Sequence, residues 1–130
     1  MPEKKTIERA RKAKREGKAP TTQASEFVRE EIEHIREGKH GARSTKQAIA
    51  IGLSKARRAG VKLNPPKAGQ ASPRVRTQAQ RDLARAASGQ KVSPRRSRAA
   101  TRALKHEGHS AASHEALSRH ATSVARRKRT

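Results

Sequence analysis

The chain has no cysteine, no tryptophan and no tyrosine, and Phe27 is its single aromatic residue. Without thiols it can form neither a disulfide nor a thiolate metal site, which suits a reducing compartment. Without aromatic platforms unpaired bases have nothing to stack on, so sequence-specific recognition of single strands is disfavoured. No run approaches the roughly 18 apolar residues of a membrane span. The opening Met1-Pro2-Glu3-Lys4-Lys5 leads into charge, unlike a secretory signal, and Glu3, Glu8 and Glu16 are out of keeping with an acid-poor transit peptide. These absences predict a soluble, cytoplasmic protein.

The groups that enzymes use are equally scarce. Asp82 is the only aspartate, and no glycine-rich phosphate loop of nucleotide-binding type is present. His106, His109, His114 and His120 are spaced by three, five and six residues, which fits no compact zinc pattern. They read as weak, pH-dependent positive charge near phosphate. The expectation is a protein that is not an enzyme, with no cofactor and no metal.

What the chain has in excess is positive charge. Lys and Arg number 33 against 11 acidic residues in 130, a formal net charge of +22. Such a balance concentrates nucleic acid around the protein and makes binding steeply salt-dependent. A membrane surface is an unlikely partner, because the apolar and aromatic anchors that accompany charge there are sparse. Only 31% of the chain is apolar, most of it alanine, so one conventional core is not expected.

The charge is uneven. Residues 1–24 carry eight basic and three acidic side chains, residues 25–61 eight and five, and residues 72–130 fifteen and three. The least basic segment has the best apolar periodicity. Ser25 reads as an N-cap followed by Glu26, and Val28, Ile32 and Ile35 recur at helical spacing until Gly38. Ser44-Thr45-Lys46-Gln47 then forms a capping-box pattern. The second helix runs to about Ala59, with Ala48, Ile49, Gly52, Leu53 and Ala56 on one face, small residues permitting close helix approach, and Gly60 as its stop. The predicted fold is all-α, a small helical hairpin over 25–63 between a basic N-terminal arm (1–24) and a basic Ala/Arg-rich tail (72–130), with 64–71 as linker.

Ile51 points away from the apolar face, so it is exposed, covered by a second copy in a homodimer, or waiting for another partner. In the linker, Asn64-Pro65-Pro66 bars a continued helix. Beyond it Ser72-Pro73 and Ser93-Pro94 each place a capping hydroxyl before a proline suited to a first helical turn, and Ser113 offers a third cap. The pairs Pro73/Pro94, Arg81/Arg102 and Leu83/Leu104 share an offset of 21, a weak internal duplication. With one or two large apolar residues each, these stretches are expected to be largely disordered and to become helical when phosphates neutralise their arginines.

Three surfaces are candidates for nucleic-acid contact. The first is the arm with Lys4, Lys5, Arg9, Arg11, Lys12, Lys14, Arg15 and Lys18, where a packed helix is not expected because only Ile7 is large and apolar. The second is Arg43-Ser44-Thr45-Lys46, where free backbone N–H groups, the helix dipole and two cations suit one phosphate. The third is the tail, with Arg95, Arg96, Arg98, Arg102, Arg126, Arg127, Lys128 and Arg129. On the second hairpin helix Lys55, Arg57 and Arg58 are phosphate-type contacts, and only Gln47 is suited to an adenine edge. The acids Glu26, Glu30, Glu31, Glu33 and Glu37 gather on the first helix, where they solvate it, pair with Arg29 and Arg36 or with bases of the second helix, or hold the basic tail when no nucleic acid is present.

Ser93-Pro94-Arg95-Arg96 resembles the Ser-Pro-basic-basic units of linker-histone and sperm-histone tails, which implies insertion into a narrow minor groove. Ala24-Ser25-Glu26-Phe27-Val28-Arg29-Glu30-Glu31-Ile32, together with Gly41-Ala42-Arg43-Ser44-Thr45-Lys46-Gln47-Ala48-Ile49-Ala50-Ile51-Gly52-Leu53, resembles a family of small basic bacterial proteins of uncharacterised function. Some of these are labelled plasmid stabilisation proteins, and the resemblance runs over about residues 4–66. It implies a bacterial origin and names no site. The function expected is sequence-independent binding and compaction of double-stranded DNA in the nucleoid. The alternatives are an RNA- or ribosome-associated protein and a partner-binding module in stress or plasmid maintenance.

Overall fold

Alanine and a few branched residues at helical spacing, punctuated by glycine and proline, give an all-α chain. The computed structural model describes residues 2–67, 71–89 and 93–129, apart from the side chains of Lys128 and Arg129. Among them are helices α1 (Lys4–Arg15), α2 (Pro20–Arg36), α3 (Thr45–Arg58), α4 (Pro73–Ser88), α5 (Pro94–Lys105) and α6 (His114–Arg129), a 3-10 turn at Ser110–Ala112, and no strand. No helix of the described residues is long and apolar enough to cross a membrane. Packing divides the chain into two compact units, Met1–Glu30 with Ile51–Val92 and Glu31–Ala50 with Ser93–Thr130, and the division falls inside α2 and α3.

In the first unit the basic arm is a helix, contrary to the sequence expectation. Thr6, Ala10 and Ala13 are buried at spacings of four and three. Ile7 joins a cluster of Ala10, Ala24, Phe27, Ala56 and Val61, flanked by Leu53 and Leu63. Counting large apolar residues misses this stripe, because alanine has the best helix propensity and lets helices approach closely. Helix α2 begins at Pro20 rather than after Ser25, whose Oγ donates to the Thr22 carbonyl at 2.6 Å within the helix. Proline suits a first helical turn, where its missing N–H costs nothing. Gly52 is buried, and a Cβ there would lie 2.7 Å from the Val28 Cα, so α2 and α3 pack at a distance only glycine permits. Helix α3 stops at Gly60, whose φ of +101° is readily adopted only by glycine. Ile51 is half-buried.

The first unit also takes in the start of the tail. Ser72 caps α4 by accepting from Val75 N at 3.3 Å, with Pro73 in the first turn, as the sequence predicts. Ala79 and Asp82 are buried on α4. Asp82 is only 1% exposed, accepts from Ser54 Oγ and from Gln78 Nε2 at 3.1 Å, and stands 3.5 Å from Arg58 Nε. A buried carboxylate so surrounded fixes α4 to α3, which counting apolar residues does not foresee. The linker is held too: Arg57 donates to the Leu63 and Asn64 carbonyls at 3.1 and 3.0 Å, and Arg76 to that of Pro66 at 3.0 Å. Burial pushes the Arg57 guanidinium below its usual range, and the Asp82 carboxylate opposes that shift.

In the second unit Ile35, Ala42, Ala48, Ala111 and Ala112 form the core, with Ile32 against it. Two of these alanines belong to the tail, so residues beyond the linker complete this core as well. Ser113 caps α6 by accepting from Ala116 N at 3.1 Å. Helix α5 buries no residue, and Ser93 makes no side-chain cap.

Candidate nucleic-acid interface

The start of α3 is built as its sequence predicts. Ser44 Oγ accepts from Gln47 N at 3.1 Å, and Gln47 Oε1 reaches back to accept from Arg43 N at 2.6 Å. The reciprocal bond goes one residue earlier than in the usual capping box. Thr45 is buried and its Oγ1 donates to the Ala111 carbonyl, while Arg36 Nε donates to the Ala112 carbonyl at 2.9 Å. The α3 start is thereby tied to the 3-10 turn that precedes α6.

That tie creates a site with a member the sequence does not suggest. A cavity of about 240 Å³ is lined by Arg43, Ser44, Thr45, Ser110, Ala111, Ala116 and Arg119. A second, of about 460 Å³, lies along one face of α6 and is lined by Ser118, Arg119, Thr122, Ser123, Arg126 and Arg127. Arg119 lines both. Positions 119, 122, 123 and 126 share a face by helical periodicity, and Arg119 and Arg126 are two turns apart, roughly 10 Å along the axis. Arg43, Arg119 and Arg126 are exposed and make no ion pair with a described acidic residue. Guanidinium forks beside serine and threonine hydroxyls supply the donors that phosphate oxygens accept from. Lys46 is exposed but does not line the cavity, so Arg119 stands where the sequence suggests a second cation from α3.

The remaining candidates are distributed between the units. Lys4, Lys5, Arg9, Arg11, Lys12, Lys14, Arg15 and Lys18 lie on or beside α1 in the first unit, where Lys5 stands 3.5 Å from Glu3 and Lys18 3.2 Å from Glu16. Arg95, Arg96, Arg98 and Arg102 are exposed on α5 in the second. Arg126 and Arg127 lie on α6 beside the larger cavity, and the side chains of Lys128 and Arg129 are outside the described residues. Two expected phosphate contacts are engaged elsewhere. Arg57 is only 6% exposed and holds the linker, and Arg58 binds Ser54 Oγ at 3.0 Å beside Asp82. Gln47, the one side chain suited to an adenine edge, spends its carbonyl on Arg43 N.

The acids of α2 are not merely solvated. Glu26 lies 4.0 Å from Arg29, as expected, but Glu30 accepts from Glu3 N at 2.7 Å. Glu31 is fully buried, with its Oε2 3.1 Å from His40 Nε2. Glu31, His34 and His40 bring one potential ligand atom each to within 4.8 Å of one another. The signal available in the sequence is the Glu-x-x-His spacing, which puts both side chains on one helix face.

Residues 11–68 match a family of unknown function (DUF6496), a stretch from within α1 to the linker that includes Arg43-Ser44-Thr45 and ends before Arg119. No curated protein and no solved structure matches the chain.

Proposed function

We propose that this protein binds double-stranded DNA through its phosphate backbone, without reading bases, and compacts it in the bacterial nucleoid. The observation that carries the reading is Arg119, which joins the cavity at the α3 N-terminus to the hydroxyl- and arginine-lined face of α6. Together they form a track of positive charge on a chain with a net +22. The engagement of Gln47 supports backbone contact over base contact. Helix α5, with four exposed arginines and nothing buried, suits an arm that orders fully only against DNA. Helix α1 offers a further set of exposed bases. Compaction requires two duplex segments to be held at once, and a second copy docked over the half-buried Ile51 would supply the second set of contacts.

The test is affinity for a random duplex as a function of salt. If six to ten phosphates are neutralised, raising salt from roughly 50 to 200 mM weakens binding by about three to five orders of magnitude. A nearly flat response refutes the electrostatic account. Crosslinking in cells with sequencing of both nucleic acids distinguishes the partner, and predominant recovery of ribosomal RNA would replace DNA by RNA in this reading.

A further inference from the structure

We propose that Glu31, His34 and His40 form a binding site for a divalent first-row metal ion of the zinc class. Imidazole nitrogen and carboxylate oxygen are the donors such an ion takes. Zinc at roughly 2.0–2.2 Å from each donor places tetrahedral ligands about 3.3 Å apart. The Glu31 Oε2 to His40 Nε2 separation is 3.1 Å, and all three donor atoms fall within 4.8 Å of one another. Closing His34 onto the other two needs only a small side-chain adjustment, and a fourth position is left for water.

The orientation of His40 is the second argument. Its Nδ1 lies 2.9 Å from the Gly41 carbonyl oxygen, which can only accept, so the contact suits the tautomer with the proton on Nδ1. The other nitrogen, Nε2, faces the Glu31 carboxylate, which also accepts. With Nδ1 donating to that carbonyl, the Nε2 lone pair faces a carboxylate oxygen, and the two acceptors need a proton or a cation between them. A metal-ligating histidine typically has its other N–H held by a backbone carbonyl in this way, which fixes the tautomer and aims the ligating nitrogen.

The site rests on anchored backbone. Glu31 and His34 are one turn apart on α2. The loop carrying His40 is pinned by Gly41 N to the Leu104 carbonyl at 2.8 Å and by Ala42 N to that of Gly108 at 3.0 Å. A Cβ on Gly41 would collide with the carbonyl oxygens of Glu107 and Gly108, so the loop lies against that turn at a distance only glycine allows. Glu31 is fully buried and the His40 side chain is 10% exposed, which shields two of the ligands from bulk solvent. The half-buried His34 leaves a side open to the water of the fourth position. The metal would tie α2 to a loop that reaches Arg43 three residues later, and so brace the α3 N-terminus. That consequence rests on the nucleic-acid reading; metal binding does not.

The experiment uses the full chain, freed of metal and titrated with Zn²⁺, and with Co²⁺ as a spectroscopic probe, in the absence of nucleic acid. One equivalent binds tightly, Co²⁺ gives the visible bands of a four-coordinate nitrogen and oxygen site, and Zn²⁺ raises the melting temperature. His34→Gln and His40→Gln each weaken binding by at least about tenfold, since loss of even an outer-shell partner costs about 10- to 100-fold. His106→Gln with His109→Gln, outside the site, leaves the single equivalent intact. Replacing the buried Glu31 risks the fold, so His34→Gln, at a half-buried position with helicity checked by circular dichroism, carries the test. Failure of the wild type to bind one equivalent, or undiminished binding by the folded His34→Gln variant, overturns the site and leaves Glu31–His40 a closed ion pair. DNA binding is measured separately, so either reading can fail without the other.

Discussion

The arginines around the linker in the first unit and those along the α3 start and α6 in the second are used in opposite ways. Arg36 in the second unit is also spent, on the Ala112 carbonyl, and the α1 arginines of the first are exposed. In the first, Arg57 is buried on the linker carbonyls, Arg58 is shared between Ser54 and Asp82, and Arg76 holds Pro66. In the second, Arg43, Arg119 and Arg126 face open cavities among serine and threonine hydroxyls, with no described acid against them. The residue type is the same, so a charge count cannot tell the two apart. What separates them is whether the five donors of the guanidinium are already spent on the fold. Only the unspent ones are available to phosphate, and the structural ones should be invisible to a salt titration.

The sharpest break in that comparison is expected at Asp82. Asp82→Ala leaves Ser54 and Gln78 without their buried acceptor and opens a void between α3 and α4. It should cost about 2–4 kcal/mol of stability, because the exposed Arg58 regains water. Denaturant melts measure the loss, and hydrogen exchange should show α4 loosened most. Below its melting range the variant should still bind duplex DNA with nearly unchanged salt slope. A large drop in affinity by the folded variant would mean that the first unit's polar network is part of the binding surface after all.

Gly41→Ala is the corresponding change in the second unit. Its Cβ meets the backbone oxygens of Glu107 and Gly108, which cannot move aside as a side-chain tip would. The expected cost is about 1–3 kcal/mol. Faster exchange should be confined to the start of α3 and the turn before α6, and duplex binding should weaken with it. Thermal melts and exchange patterns read side by side separate this result from that of Asp82→Ala.

A smaller effect on stability, and a specific one on binding, is expected from Arg43→Ala combined with Arg119→Ala. Helicity should be unchanged because neither side chain is buried. The slope of log affinity against log salt should fall by about two, one for each phosphate that is no longer neutralised, and equally for all duplex sequences. The same double substitution at Arg57 and Arg58 should unfold the linker contacts and leave the slope alone. Equal slopes for wild type and the Arg43/Arg119 variant would remove the cavities from the interface.

How much of this can be seen in the sequence depends on the kind of interaction. Caps and stops are local, so Ser44 with Gln47, Ser72 with Pro73, Ser113 and Gly60 fall where their chemistry puts them. The all-α class follows from the same signals. The packing of α1 does not, because its buried stripe is Thr6, Ala10 and Ala13, residues that look alike whether they are buried or exposed. The anchoring of α4 does not either, since it depends on a carboxylate meeting groups 24 to 28 positions away in the chain, Arg58 and Ser54. Arg119 escapes a sequence reading for that reason too: nothing in its neighbourhood marks it, and contacts between distant positions, Thr45 with Ala111 and Ala48 with Ala111 and Ala112, bring the turn before α6 to α3. Asp82 is the only aspartate in the sequence, and nothing around it there foretells that it is buried and holds α4 to α3.

The finest test of the comparison concerns Ile51, which belongs to the first unit and is half-buried. If a second copy covers its remaining surface, Ile51→Glu sets a carboxylate against the partner's apolar atoms, an unpaired buried charge that an interface tolerates poorly. Sedimentation should then shift from dimer to monomer, while the melting curve stays close to that of the wild-type monomer. Binding of a single duplex should hardly change, because Arg43, Arg119 and Arg126 are untouched. Bridging of two duplexes, followed by co-sedimentation of an unlabelled with a labelled duplex, should be lost. A wild type that sediments as a monomer at high concentration removes the seam, and bridging by that monomer would assign the two DNA contacts to different surfaces of one chain. The exposed bases of α1 in the first unit and the α3–α6 track in the second are then the surfaces to separate by substitution.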